Sequence, residues 1–206
     1  MTGPPASRFD NPFATCWTRP GALAWRGAGG HTLAGVLTRL DAVGGGQIVG
    51  PHGAGKTTLL EGLSEALGGR GEAVARWTIN GRRDAEPPPC VKAGWLLLDG
   101  YEQLPAHAAL LARLRCARRG ARLVVTTHRR VAMPVLAELS PTAETAAQLF
   151  RGLTRRRPSR VTERDALASF CRHGGNLREV WFDLYDQHER HMRGDASPRT
   201  EAHGNA

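Results

Sequence analysis

The stretch Gly50-Pro51-His52-Gly53-Ala54-Gly55-Lys56-Thr57, followed by Thr58, constrains this chain more than any other. It fits the pattern G-x-x-x-x-G-K-[ST] without a mismatch. Glycines let a short loop wrap with its backbone N–H groups turned inward, which makes a nest for anions. The run "QIVG" at the start of the loop reads as a strand, and "KTTLLEGLSEALGGRG" after it reads as a helix. The nest therefore lies at the positive end of a helix dipole, where phosphate is favoured. Two of the 28 basic residues are lysines, Lys56 and Lys92, and the rest are arginines. A compact ammonium fits a cradle around β- and γ-phosphates, and a planar guanidinium does not replace it. Thr57 offers a hydroxyl to Mg²⁺, and Thr58 reaches the α-phosphate. The expected nucleotide-binding set is thus Gly50, Pro51, His52, Gly53, Ala54, Gly55, Lys56, Thr57 and Thr58.

The residues around the loop alternate between strand and helix patterns. "HTLAGVLTRLDAVGGG" carries Leu33, Val36, Leu37 and Leu40 at helical spacing and stops at Gly44, Gly45 and Gly46. After the loop, Leu59, Leu60, Leu63, Ala66 and Leu67 fall on one helix stripe. "EAVARWTIN" alternates as a strand does, and "GRRDAEPPPCVKAG" is a loop because prolines 87–89 exclude regular structure. "WLLLDG" and "ARLVVTTH" are continuous apolar runs, as expected of parallel strands covered on both faces. Between them "PAHAALLARLRCARRG" is a helix with Pro105 in its first turn. This alternation predicts an α/β protein with a parallel sheet. After Pro134 three helical patterns follow with no strand between them: "AETAAQLFRGLT", "TERDALASFCRHGG" and "NLREVWFDLYDQHERHM". Thr162 and Asp165 form a variant capping box for the second, and Asn176 suits the N-cap of the third. The expected organisation is a leader and helix over 1–46, a core over 47–133, a helical lid over 134–192 and a polar, disordered tail over 193–206.

Four further positions extend the site. A phosphate loop needs an acid at the end of a neighbouring strand to hold the metal's hydration shell, and Asp99 ends "WLLLD". Glu102 is placed either to polarise an attacking water or to stand as a solvated acid ahead of the Pro105 helix. "LVVTTH" ends in Thr126, Thr127 and His128, and a polar residue there, with Thr127 the one expected, faces the γ-phosphate. Arg178 lies in the first turn of the "NLREVWF" helix, where an arginine opposes the dipole and so calls for a functional account. The expected catalytic set is Lys56, Asp99, Glu102, Thr127 and Arg178, with Thr57 and Asp99 on the metal.

The bulk composition excludes more than it assigns. There is no apolar run long enough to span a bilayer, and the start "MTGPPASRFDNPF" lacks the apolar stretch of a signal peptide, so a cytoplasmic setting is expected. The four cysteines, Cys16, Cys90, Cys116 and Cys171, stand at no metal-ligand spacing and read as reduced thiols. The net charge of +9, with arginine clusters at 113–122 and 151–160, either attracts nucleic acid or reflects an arginine-rich composition alone.

Taken together, these motifs resemble the additional-strand P-loop ATPases of the AAA+ and STAND type. The glycine loop corresponds to their Walker A. Asp99-Gly100-Tyr101-Glu102 is similar to the Walker B of NACHT-type members, the end of "LVVTTH" to sensor 1, and "GGNLRE" to sensor 2. Asn11, Pro12 and Phe13 resemble leader segments of bacterial members that help to hold adenine. The resemblance implies a five-stranded parallel sheet with the sensor 1 strand between the Walker A and Walker B strands. It also implies ATP and Mg²⁺ as ligands, and a protein partner or further copies of the chain. This sequence departs from the AAA+ pattern where Gly100 follows Asp99 in place of an adjacent glutamate. No arginine finger is identifiable beyond the candidates Arg118, Arg119, Arg129 and Arg130. The same residues also serve a non-hydrolysing ATP switch or a P-loop kinase for a small metabolite or nucleotide, and "RRRPSR" at 155–160 suits a kinase lid. An ABC-type ATPase lacks support because no "LSGGQ"-like signature is present.

Overall fold

A computed structural model describes residues 10–25, 27, 30–79 and 94–194. The proline loop at 87–89, Cys90, Lys92 and the polar tail from 195 onward lie outside the described residues. Five strands form one sheet: β1 (Gly46–Val49), β2 (Val74–Thr78), β3 (Trp95–Asp99), β4 (Arg122–Thr127) and β5 (Val135–Glu138). Their order is β2-β3-β4-β1-β5, and every pairing is parallel. β4 therefore separates the strand that feeds the glycine loop from the strand that ends in Asp99, as the resemblance implied.

Strand periodicity sorts the apolar runs onto two faces. Trp95, Leu97 and Val124 point to one side, where they meet α2 (Leu33–Val43) and α3 (Lys56–Gly69) through Val36, Leu40, Leu59, Leu60, Leu63 and Leu67. Leu96, Leu98, Leu123 and Val125 point to the other side and meet Ala108 and Cys116 of α4 (Ala106–Arg118). Both faces are dry, which is why β1, β3 and β4 need no polar alternation. One polar side chain inside this core is fully satisfied. Gln47 donates to the carbonyls of Val131 and Met133, both at 2.7 Å, and accepts from Val131 N–H at 2.9 Å. It thereby fixes the chain between β4 and β5.

β5 corrects the reading that only helices follow Pro134. The sheet runs on to Glu138 rather than ending at 133. "VLAE" has no strand periodicity of its own, and backbone pairing to β1 makes it a strand. Gln47 N–H donates to Pro134 O at 2.8 Å, and Leu139 N–H to Val49 O at 2.7 Å.

The remaining helices, α5 (Ala143–Thr154), α6 (Glu163–Arg172) and α7 (Leu177–Arg193), share a second core with Phe13. Thr162 and Asp165 make the expected capping box, and Asn176 accepts from the N–H groups of Arg178 and Glu179. The N-terminal segment is tied to this bundle ahead of α1 (Thr15–Thr18). Asn11 donates to Tyr185 O and Glu189 Oε1, Phe13 stacks on Phe150, and Arg157 lies over the Trp17 ring at 3.5 Å. Among the described residues no helix is long and apolar enough to cross a membrane.

Asp183 on α7 joins α6 to α7. Ser169 Oγ donates to its carboxylate at 2.5 Å, Arg172 at 2.6 Å and Gln187 at 3.1 Å. Burial acts to raise its pKa, but these donors outweigh burial and hold it at about 2, below its ordinary 3.8. A depressed carboxylate stabilises the fold above its unfolded pKa, and that stability is lost as pH falls through the folded value. In urea titrations at stepped pH, the protein is expected to lose stability between about pH 4 and pH 2. Asp183→Asn should remove that part of the pH dependence and cost about 1–2 kcal/mol at neutral pH.

Candidate functional site

The loop between β1 and α3 forms at two glycines in the left-handed region, Gly53 (φ +69) and Gly55 (φ +87). Gly55 is the N-cap of α3, so the first backbone N–H groups of the helix open onto the loop. Lys56 is buried, and its ammonium donates to the carbonyls of Gly50 at 2.6 Å and Pro51 at 2.7 Å. Burial lowers its pKa, with the nearby charges of Glu102 and Asp99 opposing that effect and Arg178 adding to it. Gly50 and Pro51 thus serve the loop through their carbonyls, by docking the lysine.

Asp99 stands at the C-terminal end of β3 and accepts from two hydroxyls. Thr57 Oγ1 donates to one carboxylate oxygen at 2.8 Å, and Thr126 Oγ1 donates to the other. The chain then reverses at Gly100 (φ +81), whose N–H donates to Thr126 Oγ1 at 2.9 Å. A Cβ at Gly100 would stand 2.5 Å from Gln103 Nε2 and 3.2 Å from Ile79 O, so the turn requires glycine. The one-turn 3-10 helix Tyr101–Gln103 follows and brings Glu102 to the site. Glu102 Oε1 is 3.3 Å from His128 Nδ1, and the His128 ring lies 3.9 Å from that of His52 on the loop. Burial lowers the His128 pKa, and Lys56 and His52 add to that against Glu102 and Asp99.

These groups line one cavity of about 440 Å³. Its polar wall holds residues 52–58, Asp99, Glu102, Thr126, His128 and Arg178. Its other wall is apolar and aromatic: Leu23, Trp25, Leu149, Trp181 and Phe182. The cavity thus pairs a polar wall built on the glycine loop with an apolar, aromatic one. α7 starts directly over the loop, because a Cβ at Gly53 would stand 1.9 Å from Asn176 Oδ1 and 3.0 Å from Leu177 N. That contact carries Arg178 to the cavity.

Lys56, Thr57, Thr58, Asp99, Glu102 and Arg178 all line this cavity. Thr127 does not. Alternation along β4 turns its side chain to the opposite face, where its hydroxyl is 3.4 Å from Gln47 Oε1, and Thr126 and His128 take the cavity side. Asn11 and Phe13 are also displaced from their expected role: both are buried against the helical bundle, and residues further along, Leu23 and Trp25, reach the cavity. Parity along β4 could have found Thr126, since it shares a face with Val124, on the side of α3. Nothing local marks Leu23 or Trp25.

No protein-family model and no curated protein sequence matches the chain. Solved structures do. The AMPPCP-bound DnaA from Aquifex aeolicus superposes with a TM-score of 0.52 at 16% identity, over 78% of this chain and 63% of that one. The replication initiator DnaA bound to AMPPCP and single-stranded DNA gives 0.56 at 15% identity, over 82% and 67%. A DNA replication initiation factor gives 0.51 at 15%, over 77% and 62%. At this identity the likeness shows a shared fold, an α/β architecture built on a five-stranded parallel sheet. The chain spans about two thirds of the length of these neighbours.

The tight seat of Asn176 on Gly53 generates a test. Gly53→Ala adds a Cβ at a positive φ, which costs about 1 kcal/mol by itself, and it drives α7 off the loop. In urea denaturation Gly53→Ala is expected to lose about 1 kcal/mol or more of stability relative to the parent chain.

Proposed function

We propose that this protein binds ATP with Mg²⁺, hydrolyses it, and couples the nucleotide state to movement of the α5–α7 bundle or to a protein partner. The observation that carries the reading is the Thr57–Asp99 hydrogen bond at 2.8 Å beside Lys56. It brings together the hydroxyl and carboxylate that a Mg²⁺ ion shares in such sites, next to the ammonium that meets the β- and γ-phosphates. Among the described residues no three His, Cys, Asp or Glu side chains form a metal cage. That suits Mg²⁺, which takes one or two protein oxygens and completes its shell with water and phosphate. When bound, the ion would neutralise charge on the phosphate oxygens.

The chain's own groups supply the rest. Backbone N–H groups of the loop bind the phosphates, and Lys56 exchanges the Gly50 and Pro51 carbonyls for phosphate oxygens. Thr126 orients the Asp99 carboxylate. Glu102 accepts a proton from the attacking water, a role worth about 10²–10⁴-fold in rate. Arg178 adds positive charge from the bundle and so makes α7 responsive to the γ-phosphate. The base lies against Trp25 and Leu23. Adenine is favoured because no N/T-K-x-D guanine-reading motif follows the core strands, and two of the fold neighbours carry AMPPCP. A further arginine from a second copy or another protein would complete the charge on the γ-phosphate.

Phosphate release with Mg²⁺ and either ATP or GTP, alongside AMPPCP binding, tests the reading. ATP turnover without an added acceptor is expected. Lys56→Ala should lose at least about 100-fold in ATP affinity, and Glu102→Gln should bind normally yet turn over at least about 100-fold more slowly. Unchanged affinity in Lys56→Ala would overturn the site. Tight binding with no release would identify a switch, and release only with an acceptor would identify a kinase.

A further inference from the structure

We propose that His128 is the positioning residue for Glu102, and that His52 ties this pair to the phosphate loop. The inference rests on the reading that Glu102 polarises the attacking water. Glu102 stands on a single 3-10 turn with its side chain about one-third exposed, so its carboxylate has several rotamers open to it. The His128 imidazole meets it, with Nδ1 3.3 Å from Oε1. Contacts of this kind are long before substrate binds and tighten in the complex.

The backbone explains why His128 can serve as a fixed support. It follows β4 directly, and β4 is held between β3 and β1 in the middle of the sheet. Two residues earlier, Thr126 binds Asp99. One strand end thus orients both acids, Asp99 through Thr126 and Glu102 through His128. The other face of the His128 ring environment is the loop itself. His52 lies at a centroid distance of 3.9 Å with the rings tilted by 58°, so a shift of the loop on phosphate binding is felt at His128. Burial and the Lys56 charge keep His128 below its ordinary pKa. A neutral imidazole beside the carboxylate supports it without forming an ion pair that would weaken Glu102 as a base.

The test compares His128→Ala, His128→Asn, Glu102→Gln and the double variant Glu102→Gln/His128→Ala, using phosphate release for turnover and calorimetry for AMPPCP. His128→Ala is expected to lower kcat by about 10- to 100-fold while AMPPCP affinity stays within about twofold. His128→Asn keeps an N–H donor at the δ position and should regain most of the lost rate. The double variant should be no slower than Glu102→Gln alone, since both changes remove one function. A slow Glu102→Gln with a His128→Ala at the wild-type rate would overturn the positioning role and leave the proposed function standing. Additive losses in the double variant would overturn it too, because His128 would then act independently of Glu102. Wild-type turnover in Glu102→Gln, or no phosphate release by the wild type, would overturn the role of Glu102 and the inference with it.

Discussion

The Asp99 carboxylate is the point on which the site depends. Its two oxygens are each claimed by a hydroxyl, one from α3 and one from β4, and the turn that follows it is pinned by Gly100 to the same threonine. Three elements with no sequence proximity are therefore held in one geometry by a charge-assisted pair of hydrogen bonds. The apolar layers on either side of the sheet determine where β3 and β4 lie, and Asp99 converts that packing into the placement of polar atoms. Removing the carboxylate would take from the Thr57 and Thr126 hydroxyls the acceptor they share and leave Thr126 only the Gly100 N–H.

The core was legible in the sequence because its signals are local. The glycine loop specifies a conformation that few other residues reach, and the apolar runs of β3 and β4 are long enough to be read as strands covered on both sides. The capping box at Thr162 and Asp165 and the N-cap at Asn176 are spacing rules of the same kind. What escaped depends on tertiary contact. β5 is a strand because β1 offers it hydrogen bonds, and "VLAE" alone carries no such information. Position at the end of β4 does not separate Thr126 from Thr127; strand parity does, and it turns Thr126 to the cavity and Thr127 to Gln47. The apolar wall joins Leu23 and Trp25 to Trp181, more than 150 residues further along the chain, and these meet only when the bundle docks.

Arg178 stands where the helical bundle meets the cavity. An arginine at a helix N-terminus is unfavourable by its dipole, and Asn176 offsets part of that by capping the same turn. Because Asn176 rests on Gly53, the cost is met where the loop and α7 touch. Under the proposed function, an anion in the loop would relieve that cost, because Arg178 lines the same cavity as the loop.

The clasp between Asn11 and Glu189 joins positions 178 residues apart. It has a bearing on how the protein is made. On the ribosome, the N-terminal segment emerges first and must wait for α7, which at 5–20 residues per second takes about 10–35 s. During that interval Phe13 and Trp17 have no bundle to cover them, and the cavity lacks the wall that Leu149, Trp181 and Phe182 supply. The nascent chain can assemble its central strands early, but the part of the cavity wall that α7 supplies forms only after α7 has been synthesised.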